Sequence, residues 1–316
     1  MKILVTGAAG FIGYHFCKQL LKQNNVYGID NINNYYDINL KKNRISILEN
    51  EERFHFYESN LADINKLRLG HFDLVVHLAA QPGVRLKRSE YKKYLDSNIS
   101  GTLEVLDYCV DNNINKIMFA SSSSVYSGLD DVPFSEECLL NSPSSIYAAT
   151  KLFNENTIKI YHENHDIDAV GLRFFTVYGP YGRPDMAYFS FSRSILNNEP
   201  ISLFNGGETA RDMTFIDDII SGMSKAKDYL LREDDIFEIF NLGNEEPIKT
   251  KYMLKTLEKI FDKKAIVNES TQHKEPSITC ACLIKSKQKL GYSPKISFNE
   301  GIRIFSEWYL NERKNF

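Results

Sequence analysis

A glycine-rich turn near the start of the chain constrains the fold more than any other feature. Gly7, Gly10 and Gly13 follow the apolar, strand-like run Lys2–Thr6 and open a helix-like segment, Gly13–Gln23. Glycine lets a backbone turn tightly and approach a ligand closely because it has no Cβ. The N-terminus of the following helix offers unpaired N–H groups and the positive end of its dipole, which together bind phosphate. The turn therefore predicts a strand–turn–helix unit that binds the pyrophosphate of a dinucleotide.

An acidic residue after the next strand indicates which dinucleotide this is. Asp30 ends the predicted strand Val26–Asp30, seventeen residues after Gly13. A carboxylate at this position can accept hydrogen bonds from a ribose diol. It would also repel the 2′-phosphate of NADP. The sequence therefore predicts NAD as the cofactor.

Strand-like and helix-like stretches alternate through the first half of the chain. Further strands are predicted at Arg53–Tyr57, Asp73–Leu78, Lys116–Ser121, Ala169–Phe174 and Phe237–Leu242, and further helices at Gly101–Asn112 and Tyr147–His162. This βαβ rhythm is typical of a doubly wound parallel sheet. We expect an α/β protein of the Rossmann type with an NAD-binding domain over residues 1–175. A later strand near 237–243 should return to that domain, and residues 176–316 should form mainly a smaller α/β lobe for the substrate.

Composition excludes several other classes of protein. The net charge of −3 over 316 residues indicates no general attraction to nucleic acid or to anionic membranes. No apolar run is long enough to span a bilayer. The five cysteines and seven histidines show no disulfide framework and no metal-ligand spacing, so we expect reduced thiols and no metal. Because the first strand follows Met1 directly, we expect no secretory leader and a cytoplasmic location.

Three side chains suggest proton-transfer chemistry at the cofactor. Tyr147 and Lys151 are four residues apart on a predicted helix and so share one face. The serine run Ser121–Ser124 ends a predicted strand, where ligand sites of open α/β sheets gather. The Lys151 cation and a positively charged nicotinamide ring should both favour the phenolate of Tyr147. Tyr147 can then take a proton from a sugar hydroxyl, a serine can share that proton, and Lys151 can hold the nicotinamide ribose.

Six stretches of the chain match a known family. They are Thr6–Gly13, His77–Arg85, Ser122–Tyr126, Tyr147–Lys151, Arg173–Ala187 and Arg211–Asp218. Through them the chain resembles the extended short-chain dehydrogenase/reductase family over nearly its whole length, and within that family the UDP-glucuronate 4-epimerases. Three departures stand out: Asn60 replaces an aspartate near the adenine, Ser127 replaces a glycine, and Lys274–Glu275 replaces a Gly-Asp pair.

The resemblance implies roles for particular residues. The implied catalytic residues are Ser122, Tyr147 and Lys151. The residues implied to bind NAD are Gly7, Gly10, Phe11, Ile12, Gly13, Asp30, Asn31, Asn60, Leu61, Leu78, Ala79, Ala80, Gln81, Asn98, Tyr147 and Lys151. Those implied to bind a UDP-sugar are Ser122, Ser123, Ser124, Tyr147, Thr176, Arg183 and Arg211. Within the last group, Thr176 and the serines are expected to meet a C6 carboxylate, and Arg211 is expected to meet the UDP pyrophosphate.

The expected activity is NAD-dependent 4-epimerisation of UDP-glucuronate to UDP-galacturonate through a 4-keto intermediate, by a homodimer with a two-helix contact. Three rival functions stay open. A UDP-glucuronate decarboxylase of the same family carries a glutamate where this chain has Ser123 and Ser124. A 4-epimerase of neutral UDP-hexoses is disfavoured by Thr176. A non-catalytic NAD-sensing regulator on the same fold typically lacks the Tyr147–Lys151 pair.

Overall fold

The fold is built on twelve β-strands, and the computed structural model describes residues 1–140, 142–270 and 277–313. The departure at Lys274–Glu275 lies outside these ranges. The strands in the described residues are β1 Lys2–Thr6, β2 Asn25–Asp30, β3 Phe54–Glu58, β4 Leu74–His77, β5 Lys116–Ser122, β6 Asp168–Phe174, β7 Thr176–Tyr178, β8 Pro200–Phe204, β9 Ala210–Phe215, β10 Phe237–Leu242, β11 Pro247–Lys249 and β12 Ile266–Ser270.

Nine α-helical segments connect these strands within the same ranges. They are α1 Phe11–Leu20, α2 Ile38–Leu48, α3 Lys92–Tyr94, α4 Gly101–Asp111, α5 Ile146–His165, α6 Ala187–Asn197, α7 Ile216–Arg232, α8 Thr250–Phe261 and α9 Phe298–Glu312. A π-helical turn, Leu95–Ser100, joins α3 to α4, and a 3-10 turn, Ser123–Tyr126, follows β5.

Seven of the strands form one parallel sheet in the order β10-β6-β5-β4-β1-β2-β3. Successive residues of β1 belong to opposite faces: Ile3 and Val5 pack into one apolar cluster and Leu4 into the other. Helices α1, α2 and α7 contribute to the first cluster, and α4 and α5 to the second. A sheet covered on both faces is expected when strands are parallel, because each crossover places a helix on a face. The predicted doubly wound Rossmann fold is confirmed.

The strand order determines where a ligand can bind. The chain winds outward from β1 in one direction through β2 and β3, and in the other through β4, β5 and β6. The loops that leave β1 and β4 therefore diverge and open a crevice at the carboxyl ends of the strands. Gly7 follows β1 at this edge, Asp30 ends β2, and Ser122 ends β5.

A smaller region covers the carboxyl edge of the sheet. Among the described residues it contains a three-stranded sheet, β11-β9-β7, a parallel pair, β12-β8, and helices α6, α8 and α9. The chain does not stay in this region after β7. Helix α7 packs on β5 and β6, and β10 joins the large sheet beside β6. The expected return of a strand near 237–243 is thus observed, while the domain boundary at residue 175 stays a prediction.

Helix α2 is an element that the sequence analysis did not predict. Its buried residues include Lys41 and Arg44 beside Leu40, Ile45 and Leu48. Two cations on the inward face interrupt the apolar period by which an amphipathic helix is recognised. The predicted helices do form, with ends shifted by a few residues: Gly13–Gln23 becomes α1, Gly101–Asn112 becomes α4, and Tyr147–His162 becomes α5.

No helix in the described part of the chain combines the length and the apolar character that crossing a bilayer requires. All five cysteines lie in this part and are free thiols. In the same ranges no three His, Cys, Asp or Glu side chains form a group that could hold a metal ion.

The carboxylate of Asp212 links separate chain segments of the smaller region. This fully buried residue of β9 accepts hydrogen bonds from the backbone N–H groups of Asn244 at 2.6 Å, Glu245 at 3.0 Å and Ala281 at 2.9 Å. Burial raises the pKa of the carboxyl, and these three donors oppose the rise. Two other chain segments, at residues 244–245 and at Ala281, therefore depend on one carboxylate of β9.

We predict that Asp212→Ala lowers the free energy of unfolding by about 3 kcal/mol, because three buried N–H groups lose a charged acceptor. Urea denaturation followed by circular dichroism measures the change. Asp228→Ala is the matched control, since it removes an exposed ion pair with Lys227 and should change stability by less than about 1 kcal/mol. Equal stability of the two variants would contradict the role of Asp212.

Candidate active site

One large cavity lies over the carboxyl edge of the seven-stranded sheet. Its volume is about 1440 Å³, and its walls come from both the large sheet and the smaller region. This exceeds the usual range for a single small ligand, roughly 300–1,000 Å³. The cavity is large enough for a dinucleotide and a second nucleotide-linked ligand.

The glycine turn forms one end of this cavity. Gly7 has a φ of +75°, and its N–H donates to the carbonyl oxygen of Ile29 at 2.7 Å. Helix α1 begins just after Gly10 without a side-chain cap and without an acidic residue in its first turn. A Cβ on Gly13 would lie 2.1 Å from the carbonyl oxygen of Gly7. The turn is therefore possible only with glycine, and it leaves the helix N–H groups open for a phosphate.

Asp30 is positioned at the same end of the cavity by its own backbone surroundings. Its carboxylate accepts from the N–H of Ala9 at 3.1 Å and from the N–H of Ile32 at 2.9 Å. Burial raises the pKa of Asp30, while the nearby Lys41 cation and the two N–H donors oppose this rise. Beside it, the amide of Asn31 donates to the side-chain oxygen of Asn60 at 2.9 Å. These side chains can hold the adenosine part of a dinucleotide.

The tyrosine–lysine pair and the serine run meet in the middle of the cavity. Lys151 donates to the carbonyl oxygen of Ala120 at 2.8 Å, and its Nζ lies 5.9 Å from the centre of the Tyr147 ring. Ser122 ends β5, and its hydroxyl donates to Ser124 at 3.1 Å. All four of Ser122, Ser124, Tyr147 and Lys151 line the cavity. The end of β5 and the start of α5 thus bring the serines, Tyr147 and Lys151 together in the cavity.

The electrostatics of Tyr147 differ from the sequence-based expectation. Burial raises the pKa of its phenol above the ordinary value of 10.0, and the Arg183 cation and the Ser122 hydroxyl oppose this rise. The Lys151 charge that we expected to act on Tyr147 lies 5.9 Å from the ring centre, and the Arg183 cation is a second one that the sequence analysis did not connect with Tyr147. Arg183 is held beside Tyr147 by two bonds to Asp185, at 3.1 and 2.6 Å.

A buried ion pair lies behind Lys151. Arg173 on β6 donates to both carboxylate oxygens of Glu155, at 2.9 and 2.7 Å, and Ser121 donates to the same carboxylate. Glu155 lies one helical turn after Lys151 on α5. Burial lowers the pKa of Lys151 to about 8, and the Glu155 charge opposes the fall. The Lys151 ammonium is therefore held in a buried site with part of its charge compensated.

The remaining predicted site residues divide into two groups. Those that line the cavity are Gly7, Gly10, Phe11, Ile12, Gly13, Asp30, Asn31, Asn60, Leu61, Leu78, Ala79, Ala80, Ser123, Thr176, Arg183 and Arg211. Gln81 and Asn98 do not line it, and their expected role in cofactor binding stays a prediction. The π-helical turn directs Asn98 into the interior, where its side chain accepts from the Gln81 N–H at 2.7 Å and donates to Thr150 at 3.0 Å. Both residues support the cavity wall from behind.

Several cavity residues were missed by the sequence analysis. Tyr35, Tyr36 and Lys41 come from the segment after β2, Phe204 ends β8, and Asn205 follows it. The cluster of tyrosines directly after Asp30 is a signal that could have indicated the first group. No local pattern marks the second, because its position depends on how the smaller region folds over the sheet.

Comparison with known proteins agrees with this arrangement. Residues 3–243 match the model of the NAD dependent epimerase/dehydratase family. The chain belongs to that family. It is 39% identical to UDP-glucuronate 4-epimerase of Thermodesulfobacterium geofontis, over 96% of this chain and 95% of the relative. It is 40% identical to UDP-glucuronate 4-epimerase 1 of Arabidopsis thaliana, over 98% of this chain and 77% of the relative.

A solved structure is similar over the whole fold. The UDP-glucuronic acid 4-epimerase of Bacillus cereus, determined in complex with UDP-glucuronic acid and NAD, superposes with a TM-score of 0.91 at 37% identity. The match covers 98% of this chain and 99% of the Bacillus chain. The seven-stranded sheet and the smaller region of this family member therefore share one architecture with an enzyme that binds both ligands.

We predict that Lys151→Met stabilises the protein in the absence of dinucleotide. Because burial lowers the pKa of Lys151 from 10.5 to about 8, the folded state binds fewer protons than the unfolded state between these values. Stability therefore rises with pH in that window, and the burial penalty is present in full below it. At pH 7 the substitution should raise the free energy of unfolding by roughly 2 kcal/mol.

This gain should shrink as the pH rises from about 8 to 10.5. Thermal or urea unfolding of the dinucleotide-free protein at several pH values measures it. Lys159→Met, on an exposed part of α5, serves as the control and should show no such pH dependence. If the gain in the free energy of unfolding stayed constant with pH, it would contradict the lowered pKa of Lys151.

Proposed function

We propose that this protein catalyses the NAD-dependent 4-epimerisation of UDP-glucuronate to UDP-galacturonate through a 4-keto intermediate. One observation carries the proposal: a single cavity joins a dinucleotide cradle, the Ser122–Tyr147–Lys151 group and the polar side chains of Thr176 and Arg183. The relatives named as UDP-glucuronate 4-epimerases, at about 40% identity over nearly the whole chain, support it. So does the bound UDP-glucuronic acid of the Bacillus structure.

The glycine turn fits the cofactor. Gly7, Gly10 and Gly13 leave the N–H groups at the start of α1 open to a pyrophosphate, and Asp30 can accept from the adenosine ribose. NAD, when bound, accepts a hydride from C4 of the sugar and later returns it to the opposite face. Because the dinucleotide is regenerated, no external oxidant is consumed.

In the proposed mechanism Tyr147 is the general base for the C4 hydroxyl and later the acid that returns the proton. The Ser122 hydroxyl shares the proton. Its hydrogen bond to Tyr147 also opposes the rise in the phenol pKa that burial causes. Lys151, held by the carbonyl of Ala120, positions the nicotinamide ribose. Burial raises the pKa of Tyr147. The positive charge of the bound nicotinamide ring is therefore needed to bring the phenol pKa closer to the pH at which the enzyme works.

The part of the cavity beside the serine run suits a carboxylate. Ser123, Ser124 and Thr176 line it with hydroxyl groups, and Arg183 adds a cation. No carboxylic acid lies within the serine run, so none is available there to protonate the enolate that decarboxylation would produce. Fixed hydrogen-bond donors can hold the C6 carboxylate of the 4-keto intermediate away from the geometry in which carbon dioxide leaves. This favours epimerisation over decarboxylation.

Neither a neutral-hexose 4-epimerase nor an NAD-sensing regulator fits the site as well. A neutral UDP-hexose would leave the Thr176 hydroxyl without an anionic partner, whereas Arg183 is already paired with Asp185. A non-catalytic NAD-sensing regulator would not need Ser122, Tyr147 and Lys151 to converge on the cavity beside the cradle, as they do here. We therefore retain the uronate 4-epimerase as the proposed function.

We also propose that the enzyme works in the cytoplasm as a homodimer. Large apolar side chains are exposed on neighbouring helical segments, namely Leu95 at 51% and Ile160 at 54%. Burying such side chains against a second copy is favourable, at roughly 25 cal/mol per Å² of apolar surface. Size-exclusion chromatography with light scattering tests the assembly.

We predict that Tyr147→Phe lowers turnover of UDP-glucuronate by about a hundredfold or more, because the general base is lost while the ring is retained. NMR of the purified enzyme with UDP-glucuronate and no added NAD follows the formation of UDP-galacturonate. The matched control is Tyr161→Phe on the same helix, which removes only a bond to Asp107 at 2.6 Å. Near-normal turnover by folded Tyr147→Phe would refute the mechanism.

We predict that Thr176→Ala weakens UDP-glucuronate binding by roughly 1–3 kcal/mol, because a hydrogen bond to a charged group is lost. It should also raise the fraction of UDP-4-keto-pentose formed per epimerisation. Calorimetry measures the first effect and NMR the second. Thr176→Ser keeps the hydroxyl and should remain close to wild type.

Wild type should convert the neutral sugar UDP-glucose poorly. Faster conversion of UDP-glucose to UDP-galactose than of UDP-glucuronate would favour a 4-epimerase of neutral hexoses. It would also show that the polar end of the cavity does not select a carboxylate.

A further inference from the structure

Arg44 on α2 is completely buried although its charge is permanent. One nitrogen of its guanidinium, Nη1, donates to the carbonyl oxygen of Ala9 at 2.7 Å and to the hydroxyl of Tyr36 at 2.6 Å. The other, Nη2, donates to the carbonyl oxygens of Tyr181 at 2.6 Å and of Gly182 at 3.1 Å. A single planar group thus joins two loops that are more than 130 residues apart in the chain.

The first loop is the proposed dinucleotide cradle. Ala9 lies inside the glycine turn, so the Arg44 charge sits directly behind the backbone that faces the cavity. Among the ion pairs formed in residues 1–140, 142–270 and 277–313, none involves Arg44, and its buried Nε has no hydrogen-bond partner there. The Asp30 charge acts on Arg44 without forming an ion pair with it. A buried cation without a paired carboxylate is costly unless another negative charge approaches. A bound pyrophosphate on the other side of the turn supplies such a charge.

The second loop leads directly into the proposed substrate end of the cavity. Tyr181 adopts a left-handed backbone conformation, with φ of +56°, which few residues other than glycine adopt without strain. Gly182 follows, and a Cβ there would lie 1.8 Å from the hydroxyl oxygen of Tyr188. The next residue is Arg183, whose cation acts on Tyr147. The two bonds from Arg44 therefore hold a strained turn from which Arg183 reaches into the cavity.

We propose that Arg44 is a positioning residue that couples dinucleotide binding at the glycine turn to the placement of Arg183, and so to binding of the UDP-uronate. The choice of UDP-glucuronate as the second ligand rests on the proposed function. Because coupling of two binding sites is reciprocal, each ligand should raise the affinity for the other by the same factor. A lysine cannot replace Arg44 in this role, because its single ammonium lacks the planar fork that serves both loops.

The coupling can be measured without turnover in the full-length Tyr147→Phe protein. Equilibrium dialysis with labelled NAD gives the NAD dissociation constant with and without saturating UDP-glucuronate, for this protein and for the same protein carrying Arg44→Lys. We expect UDP-glucuronate to tighten NAD binding by about tenfold in the parent and by about twofold or less in Arg44→Lys. Lys42→Met, on the exposed face of the same helix, should keep the full factor. An unchanged factor in folded Arg44→Lys, or no coupling in the parent, would overturn the inference.

A second variant keeps the test valid if Arg44→Lys does not fold. Gly182→Ala must displace the turn, because its Cβ collides with the hydroxyl of Tyr188. Although Gly182 lies on the substrate side, we expect the variant to reduce the coupling factor by about threefold or more. A coupling factor equal to that of the parent would overturn the inference. Failure of the proposed function appears separately, as absence of UDP-glucuronate epimerisation by the wild-type enzyme.

Discussion

The contact between Gly13 and the carbonyl oxygen of Gly7 is the constraint on which the rest of the structure depends. Any side chain at position 13 would meet that oxygen at 2.1 Å, so the turn after β1 can close only around glycine. Once it closes, helix α1 starts at the carboxyl edge of the sheet with its first N–H groups open. A phosphate site and the direction of the first crossover follow from this one backbone approach.

The winding of the sheet then brings distant residues to the same edge. Because all neighbouring strands in the large sheet are parallel, every strand ends on the same side. Asp30 after β2, Ser122 after β5 and Tyr147 on α5 therefore meet the cavity although more than a hundred residues separate the first from the last. The smaller region closes the other side of the cavity and supplies Thr176 and Arg211. Packing of apolar side chains on both faces of the sheet stabilises this arrangement.

Two cations of the site, Lys151 and Arg44, are buried at an electrostatic cost, and their surroundings fix their positions. Lys151 is nearly fully buried, and Glu155 compensates its charge only in part. Arg44 is buried with carbonyl and hydroxyl oxygens as its partners. Both cations lie where bound ligands would bring negative charge or polar groups. A protein arranged in this way should gain stability when its ligands bind, since binding to the folded state alone stabilises it.

The sequence by itself determined the fold class and the chemistry. The glycine spacing, the position of Asp30 and the Tyr147–Lys151 spacing depend on local backbone geometry, and local geometry can be recognised from residue order. The tertiary structure decided what depends on distant contacts. It placed Arg183 as a second cation near Tyr147, and it put Asn98 in the interior, where the Gln81 N–H and Thr150 are its partners. It also buried Arg44 of α2, since the oxygens that hold this cation belong to Ala9, Tyr36, Tyr181 and Gly182.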